Sequence, residues 1–471
     1  MKIGTLIINA IFFLETTGVF LMCITPNDNS FSAKTDDAAR INEAIKAACT
    51  DGSRLVKIPK YNAAKGNCVW ELESSILLPD NFTLLLDNCY IRMADGTFCN
   101  AICNENCYTE HTEENIQHNI YIKGIGHAVL DGGNYNGYSE HSKNLPKPLH
   151  NNCTIVLSNV EDFAVENINV TNHRYWGLCF LYCSHGTVRN IDFKADLSCA
   201  DDCGGHTTEY LPPDYEHVYL QNSDGIDLRM GCHDILIENI SGFTVDDTVA
   251  LTALCGKEEL KHRVPGKSND IHDIIIKNIR SYTFCWTGQL RLLAKSGCRI
   301  YSVSADTIVN TIDESLPYRG GCSVMLGDSG YIKERDIKMG ELFNIKISNI
   351  HSRAVRAVRL TGPMSYVSLD KIYAYSGTRA VIHSDSDTEF KNVKITDIFC
   401  GETAELDSVI NFGENVKGKI QVSGVYCEKA KHLLRNSGVA DVQMSNINAE
   451  CSGDKITAEP MQYAFWWADE Q

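Results

Sequence analysis

The sequence predicts an all-β fold, a right-handed parallel β-helix with an N-terminal capping helix. A six-residue apolar pattern recurs along the chain, and no long amphipathic helix separates its copies. These two observations favour a solenoid of short strands over a leucine-rich or helical repeat. We expect residues 1–471 to form one domain, because a repeat fold buries one continuous core along its whole length.

The recurring pattern has apolar residues at its first, third and sixth positions, often with Asn at the fifth. Alternation over three residues is typical of a short strand with one face inward, and the sixth position predicts the next strand after a sharp bend. Copies after residue 345 begin 22, 26, 27 and 22 residues apart, so each must stack on its neighbours to bury its apolar face. The Asn residues predict ladders of side-chain amides at the bends. The copies are "FAVENI" from Phe163, "ILIENI" from Ile235, "IIIKNI" from Ile274, "IKISNI" from Ile345, "VSLDKI" from Val367, "VKITDI" from Val393, "IQVSGV" from Ile420 and "VQMSNI" from Val442.

One helix is predicted over residues 33–50, where Thr35 is the candidate N-cap and acidic residues fill the first turn. We expect this helix to close the N-terminal end of the solenoid, because an open end exposes core and strand edges. Its apolar face consists of Ala38, Ile41, Ile45, Ala48 and Cys49.

Composition excludes two classes of partner. The chain has 43 basic and 60 acidic residues, a formal charge of −17, so we expect no nucleic-acid partner. No run reaches the roughly 18 consecutive apolar residues of a membrane span, so we expect no membrane insertion. The oligomeric state stays open.

The apolar N-terminus and the 20 cysteines bear on the compartment. Glu15 interrupts the first apolar run and no cleavage site follows, which favours buried strands over a signal peptide. Cys179 and Cys183 lie in an apolar run that predicts buried thiols. We therefore predict a cytoplasmic protein with reduced cysteines. A secreted protein with disulfides is the alternative, which the close spacing of Cys99, Cys103 and Cys107 leaves open.

The densest carboxylate cluster lies between residues 222 and 253. Asp224 precedes the pair Asp246 and Asp247 by about 22 residues, which is one coil of such a solenoid. Because adjacent strands lie about 4.8 Å apart, the three carboxylates are expected to converge. Like charges that close raise one pKa and supply an acid beside a base, the pair that glycosidic cleavage needs. Three unrelated Asp residues at turns are the alternative.

Several segments resemble the polygalacturonases of glycoside hydrolase family 28, which are parallel β-helices. Asn222-Ser223-Asp224-Gly225 followed by Ile226-Asp227 resembles the family motif N-T-D-G, and Val245-Asp246-Asp247-Thr248 resembles G-D-D-C one coil on. The segments "TDDAARINEAI", "GHAVLDGGNYNG" and "NHRYWGLCFLYC" resemble upstream family features, so the similarity covers roughly residues 33–330.

The resemblance implies a role for each carboxylate. Asp246 would protonate the leaving oxygen, while Asp224 and Asp247 would activate the attacking water and give inversion. Inverting pairs typically stand about 6.5–9.5 Å apart to admit that water. The same motif implies that Asn222 and Asp227 contact the substrate.

Two departures from the family pattern concern the substrate. The family has G-H-G where this chain has Gly288-Gln289-Leu290-Arg291, so the His is absent and Gln289 or Arg291 takes its place. The family has R-I-K where Arg359 is followed by Leu360 and Thr361. Either the substrate is not galacturonan, or its acid group is bound differently. Arg291 and Arg359 are each suited to pair with a carboxylate; a surface Arg with a solvated head is the alternative.

Two polar segments, 199–217 and 255–272, predict loops over the active face. His206 lies in the first loop and is a candidate sugar contact. Cys199, Cys203 and His206 have loose metal-ligand spacing, but no fourth ligand is evident, so we predict no metal site.

The sequence thus predicts a glycosidase acting on an acidic or plant-derived oligosaccharide or polysaccharide, without a cofactor. If the protein is cytosolic, short imported oligosaccharides are the expected substrates. One alternative is a polysaccharide lyase, epimerase or fructan-converting enzyme, and a lyase would use the Asp cluster to hold Ca²⁺. A non-catalytic carbohydrate-binding solenoid is the other.

Overall fold

The computed structural model describes residues 23–31, 36–97, 99–133, 153–173, 175–195, 199–200, 206–207, 219–220, 223–254, 262–283, 288–295, 297–313, 320–327, 337–384, 387–401 and 406–461. The predicted strands before residue 23 lie outside them. Among the described residues, no helix has the length and apolar character that crossing a membrane requires.

The described residues form one α-helix, three 3₁₀ turns and a long series of strands. The helix α1 is Asp37–Thr50, and the 3₁₀ turns are Asn29–Phe31, Glu105–Tyr108 and Glu113–Asn115. In chain order the strands are β1 (Leu55–Pro59), β2 (Val69–Leu72), β3 (Ile76–Leu78), β4 (Phe82–Asp87), β5 (Tyr90–Met93), β6 (Ile102–Asn104), β7 (Gln117–Ile125), β8 (Val129–Asp131), β9 (Ile155–Ser158), β10 (Val160–Thr171), β11 (Tyr175–Leu181), β12 (Ser184–Lys194), β13 (Cys199–Ala200), β14 (His206–Thr207), β15 (Tyr219–Leu220), β16 (Ser223–Leu228), β17 (His233–Thr244), β18 (Val249–Ala253), β19 (Ile271–Thr283), β20 (Leu290–Ala294), β21 (Ile300–Asn310), β22 (Cys322–Leu326), β23 (Leu342–Ser352), β24 (Arg356–Leu360), β25 (Met364–Ala374), β26 (Ala380–Ser384), β27 (Thr388–Cys400), β28 (Ser408–Phe412), β29 (Val416–Ala430), β30 (His432–Asn436), β31 (Asp441–Cys451) and β32 (Ile456–Thr457).

Two parallel sheets run the length of the molecule, and the chain alternates between them. In the first sheet the strands follow the order β1-β4-β7-β10-β12-β17-β19-β21-β23-β25-β27-β29-β31, with β2, β5 and β8 joined beside β10. The second sheet has the order β3-β6-β9-β11-β16-β18-β20-β22-β24-β26-β28-β30-β32. Apolar side chains from both sheets face inward and form one continuous core. The predicted right-handed parallel β-helix is confirmed.

The bend inside each copy of the repeat is a single residue in the left-handed region. Asn167, Asn239, Asn278 and Asn349 have φ between 56° and 60°. Asn tolerates this conformation better than other residues with a side chain beyond Cβ. At the bend, the alternation of core-facing and outward-facing side chains shifts by one residue. The pairing with the neighbouring strand nevertheless continues on both sides of the bend, as in β19. The pattern therefore marks one bent strand, where the sequence predicted two.

The Asn side chains at these bends form the predicted amide ladder. Asn190 Nδ2 donates to Asn167 Oδ1 at 2.8 Å, and Asn239 Nδ2 donates to Asn190 Oδ1 at 3.0 Å. Asn278 Nδ2 continues the ladder to Asn239 Oδ1 at 2.9 Å. Each rung ties one coil to the next, so the recurring Asn is structural.

The helix α1 covers the N-terminal end of the core, and it begins later than predicted. Asp36 is the N-cap, because its carboxylate accepts the N–H groups of Ala38 and Ala39 at 3.1 Å; Thr35 lies outside the described residues. Asp37 and Arg40 form a buried ion pair beside the predicted apolar face.

Within the predicted loop 199–217, the structure describes only residues 199–200 and 206–207. Its strands β13 and β14, together with β15, form a small antiparallel sheet. The predicted loop 255–272 is described from residue 262, and its last two residues belong to β19. Cys179 and Cys183 are fully buried, as predicted, and no disulfide joins any two of the described cysteines.

Candidate active site

Asp224, Asp246 and Asp247 converge where two adjacent coils enter the second sheet. Asp224 lies at the start of β16, and the Asp pair immediately precedes β18, which pairs with β16 in parallel. One carboxylate oxygen from each residue lies within 4.8 Å of the other two. The spacing of about one coil in the sequence therefore brings the three groups together.

The local sequence fixes this approach between the two coils. Ile226 and Val249 face the core as register partners and hold β16 against β18. Gly225 lies between Asp224 and Ile226 in the chain, and its N–H donates to the backbone carbonyl of Asp247 at 2.8 Å. A Cβ at Gly225 would lie 2.4 Å from the Thr248 carbonyl oxygen, so only glycine allows the strands to approach this closely.

Asp247 is fully buried and held by two groups from the next coil. Arg291 Nε lies 2.7 Å from Asp247 Oδ2, and the Gly288 N–H donates to Asp247 Oδ1 at 3.2 Å. Burial nevertheless raises the pKa of Asp247 to about 8, against the opposing effect of the Arg291 charge. This carboxyl is therefore able to carry a proton near neutral pH.

Asp224 is the second buried carboxyl of the trio. Its side chain is 3% exposed, and its Oδ1 accepts no hydrogen bond from the described residues. Burial, together with the charges of Asp227, Asp246 and Asp247, raises the pKa of Asp224 well above its ordinary value. Asp246 differs from both neighbours because it is only partly buried.

A second buried ion pair lies beside the cluster. Arg229 Nη1 is 3.2 Å from Asp227 Oδ1, and the Arg229 guanidinium lies 4.3 Å from the centre of the Trp176 ring. Burial raises the pKa of Asp227 to about 6, while Arg229 and Arg291 oppose the shift. The sequence analysis missed Arg229 and its position over Trp176. The available signal was the spacing of two residues from Asp227, which places both on the same side of a strand.

Arg291 and Arg359 belong to one row of the second sheet. Asp227, Ala250, Arg291, Met325 and Arg359 are register partners on five successive coils. Three strand spacings separate Arg359 from β18, or about 14 Å. Arg359 is partly exposed and its Nη1 lies 3.7 Å from Met325 Sδ. It therefore lies on the same face as the carboxylates, at a distance of two or three sugar units.

Three of the predicted substrate contacts, Asp227, Gln289 and Arg291, are buried. Asp227 is engaged by Arg229, and Arg291 is engaged by Asp247. Gln289 has no exposed surface, and its position in the sheet is flanked by Thr248 and Ser323, which hydrogen-bond to Ser281 and Ser352 of the first sheet. Asp227 and Arg291 thus border the carboxylate cluster, and contact of the three residues with a substrate stays a prediction. Asn222 and the side chain of His206 lie outside the described residues.

The arrangement supplies a proton donor and a proton acceptor on one patch. Three carboxyl groups this close do not all ionise near neutral pH, so protonated and ionised forms coexist. The same trio is the only set of His, Cys, Asp or Glu side chains, among the residues that the structure describes, with the spacing of a metal site.

Comparison with known proteins bears on the fold. No family model matches the chain, and no curated protein matches it. Among solved structures, a surface adhesin of Streptococcus pneumoniae is 14% identical, with a TM-score of 0.50 and coverage of 91% of each chain. The tailspike protein of E. coli bacteriophage HK620, solved with a hexasaccharide, is 11% identical, with a TM-score of 0.51 over 89% of this chain and 78% of that one. A polygalacturonase from Erwinia carotovora is 13% identical, with a TM-score of 0.45 over 88% and 94%. The first two likenesses support the parallel β-helix and say nothing about activity.

Proposed function

We propose that this protein is a glycoside hydrolase, similar to the polygalacturonases of family 28, that cleaves glycosidic bonds of an acidic or plant-derived oligosaccharide. The observation that carries the proposal is the convergence of Asp224, Asp246 and Asp247 within 4.8 Å. Two of these carboxyls have a raised pKa, which general acid catalysis near neutral pH requires.

In the proposed reaction one carboxylic acid protonates the leaving glycosidic oxygen. An ionised carboxylate removes a proton from water as the water attacks the anomeric carbon from the opposite face. The family resemblance gives the acid role to Asp246 and the base role to Asp224 and Asp247. Electrostatics favour Asp224 or Asp247 as the acid instead, because burial raises the pKa of both carboxyls.

An inverting mechanism requires room for the water. The closest oxygens of the trio lie within 4.8 Å, nearer than the roughly 6.5–9.5 Å between the carboxyl groups of inverting pairs. Asp246 is the only partly exposed member, so it is the one with space to turn away from the cluster. We therefore propose inversion with a displaced Asp246. Retention of anomeric configuration, seen by NMR of the first product, would contradict it.

The substrate proposal rests on Arg359. Arg359 is only partly buried and lies on the same face as the trio, and a guanidinium is suited to pair with a sugar carboxylate. The reaction needs no cofactor. A cytoplasmic location, with short imported oligosaccharides as substrates, is part of the same proposal.

The first experiment measures hydrolysis of oligogalacturonides and neutral plant oligosaccharides by release of reducing ends. We expect Asp224→Asn, Asp246→Asn and Asp247→Asn each to lower kcat at least 100-fold, because each removes a proton donor or acceptor. Asp234→Asn is the matched control, since Asp234 is exposed on the first sheet and its φ of 54° suits Asn. Wild-type rates in all three cluster variants would refute the proposal.

A rescue experiment assigns the acid. A variant that lacks the acid should recover rate on an aryl glycoside, whose leaving group needs no protonation. A variant that lacks the base should instead recover rate with azide. Recovery of Asp246→Asn on the aryl glycoside would support the family assignment, and recovery of Asp224→Asn or Asp247→Asn would support the electrostatic one.

The second candidate is a lyase, since the trio has the spacing of a cation site. Carboxylate oxygens are the ligands that Ca²⁺ prefers. A lyase would give unsaturated products that absorb ultraviolet light, and a chelator would abolish its activity. If no oligosaccharide of the panel is cleaved and Asp246→Asn still binds oligosaccharide, a non-catalytic carbohydrate-binding solenoid is favoured.

A further inference from the structure

Cys400 and Cys427 are direct neighbours on successive coils near the C-terminal end of the solenoid. They are register partners on β27 and β29, and both side chains face the core with 4% exposure. The structure thus places two core-facing thiols side by side on successive coils.

The backbone spacing suits a covalent link between these two residues. Parallel neighbours have Cα atoms about 4.8 Å apart, inside the range of roughly 4.4–6.8 Å found in disulfides. On the outer side of the same strands, the rings of Phe399 and Tyr426 stack with centroids 5.2 Å apart and hold the coils in register. No change of register is therefore needed to join the thiols.

The surroundings leave room for the small adjustment that a disulfide requires. In-register Cβ atoms stand about 4.8 Å apart, and a disulfide brings them to about 3.8 Å. The partners on either side of the pair in this row are Ala374 and Ala449, both small. The β29–β31 register also shifts directly after Cys427, so the ladder is already irregular there.

This end of the core is also the more accessible one. Val442, Met444 and Ile447 of β31 pack against the core but are only partly buried. Within the part of the chain that the structure describes, no strand pairs with the other edge of β31. Opening of this last coil exposes the Cys400–Cys427 pair to solvent, whereas a thiol in the middle of the solenoid needs more of the structure to open.

We propose that Cys400 and Cys427 form a redox-active thiol pair that oxidises to a disulfide and staples two coils at the C-terminal end of the solenoid. The interaction between the two thiols lowers the pKa of Cys427 and raises the pKa of Cys400, so Cys427 is the attacking thiolate. It displaces one thiolate from a low-molecular-weight disulfide and forms a mixed disulfide. Cys400 then attacks the Cys427 sulfur, releases the second thiol and completes the bond. Two protein thiols are oxidised, and one external disulfide is reduced to two thiols.

Cys451 is the competing partner that the structure disfavours. It lies one coil further on, but its register partner is Ala430 rather than Cys427. Its sulfur is therefore offset along the strand from the row that contains the pair. A disulfide from Cys427 to Cys451 would need the last two coils to slide.

The test treats the folded full-length protein with oxidised glutathione, blocks free thiols, and maps disulfides by peptide mass spectrometry. We expect a peptide pair linked through Cys400 and Cys427 that has lost two hydrogen atoms. In Cys400→Ser, Cys427 should accumulate as the mixed disulfide with glutathione, because the resolving thiol is gone. In Cys68→Ser, the matched control at an exposed thiol, the link should form at the wild-type rate.

Stability provides a second measurement. Oxidised wild type should need a higher urea concentration to unfold than reduced wild type, and the difference should vanish in Cys400→Ser. A Cys427–Cys451 link would overturn the proposal. So would recovery of both thiols unmodified under conditions that add glutathione to Cys68. Because neither readout uses a sugar substrate, failure here is distinct from failure of the proposed hydrolase activity.

Discussion

At the scale of single residues, Arg229 decides the charge state of a buried carboxyl. Asp227 is fully buried, and its ion pair with Arg229 is 3.2 Å long. The guanidinium is covered on one side by Trp176, which is buried, so water does not substitute for the pair. Breaking a buried pair by removing one partner is costly, because the other charge is left uncompensated.

We predict that Arg229→Met lowers the free energy of unfolding by about 3–5 kcal/mol above pH 7. The loss should be smaller at pH 5, because Asp227, whose pKa is about 6 in the wild type, is then largely protonated. Urea unfolding at the two pH values measures the difference. The double variant Arg229→Met/Asp227→Asn should recover most of the loss; an equal loss in the single and double variants would contradict the ion-pair explanation.

The residue scale also shows where sequence reasoning about the site stops. Spacing predicted that Asp224, Asp246 and Asp247 converge, because one coil of a β-helix has a nearly fixed length. It did not predict that Arg291 pairs with Asp247. Side-chain direction and burial depend on which groups pack around each position, and these groups come from other coils.

At the scale of elements, the bent strand with its Asn rung is the repeating unit. Asn239 has a φ of 57°, donates to Asn190 and accepts from Asn278. Its side chain thus links three coils, and its backbone adopts a conformation that costs other L-residues about 1–2 kcal/mol. Both properties belong to Asn, which explains its recurrence in the sequence.

We predict that Asn239→Ala lowers the free energy of unfolding by about 2 kcal/mol, from the strained backbone and two lost amide bonds. Asn239→Gly should lose about 1 kcal/mol less, since glycine adopts positive φ without strain. Urea unfolding of both variants checks the order. An Ala variant as stable as the Gly variant would show that the left-handed bend carries no strain.

At the scale of the whole molecule, the buried carboxyls should make stability depend on pH. The pKa of Asp247 is about 8 in the folded protein and near 4 in the unfolded chain, so the folded state binds more protons between these values. Stability from this group is therefore fully present at low pH and is lost as pH rises toward 8. Asp224, with its raised pKa, acts in the same direction.

We predict that the free energy of unfolding of the wild type falls between pH 6.5 and pH 8, by up to about 1.4 kcal/mol per pH unit from one such group. Above pH 6.5 the buried His111 and the partly buried His351, whose pKa values are lowered, no longer oppose this trend. Chemical denaturation across this window gives the slope. Asp247→Asn should have a shallower slope, whatever its absolute stability, and an unchanged slope would contradict the raised pKa.

The sequence by itself determined the periodic features of this protein. The apolar pattern predicted stacked short strands, the Asn residues predicted an amide ladder, and the one-coil spacing predicted that three carboxylates meet. Each depends on local backbone geometry and on a repeat length that the chain carries in its order of residues. The tertiary structure alone decided what lies around those positions. It buried Asp227 and Gln289, paired Arg291 with Asp247, and brought Cys400 against Cys427. These outcomes depend on contacts between coils, whose partners are far apart in the sequence and are fixed only when the coils stack.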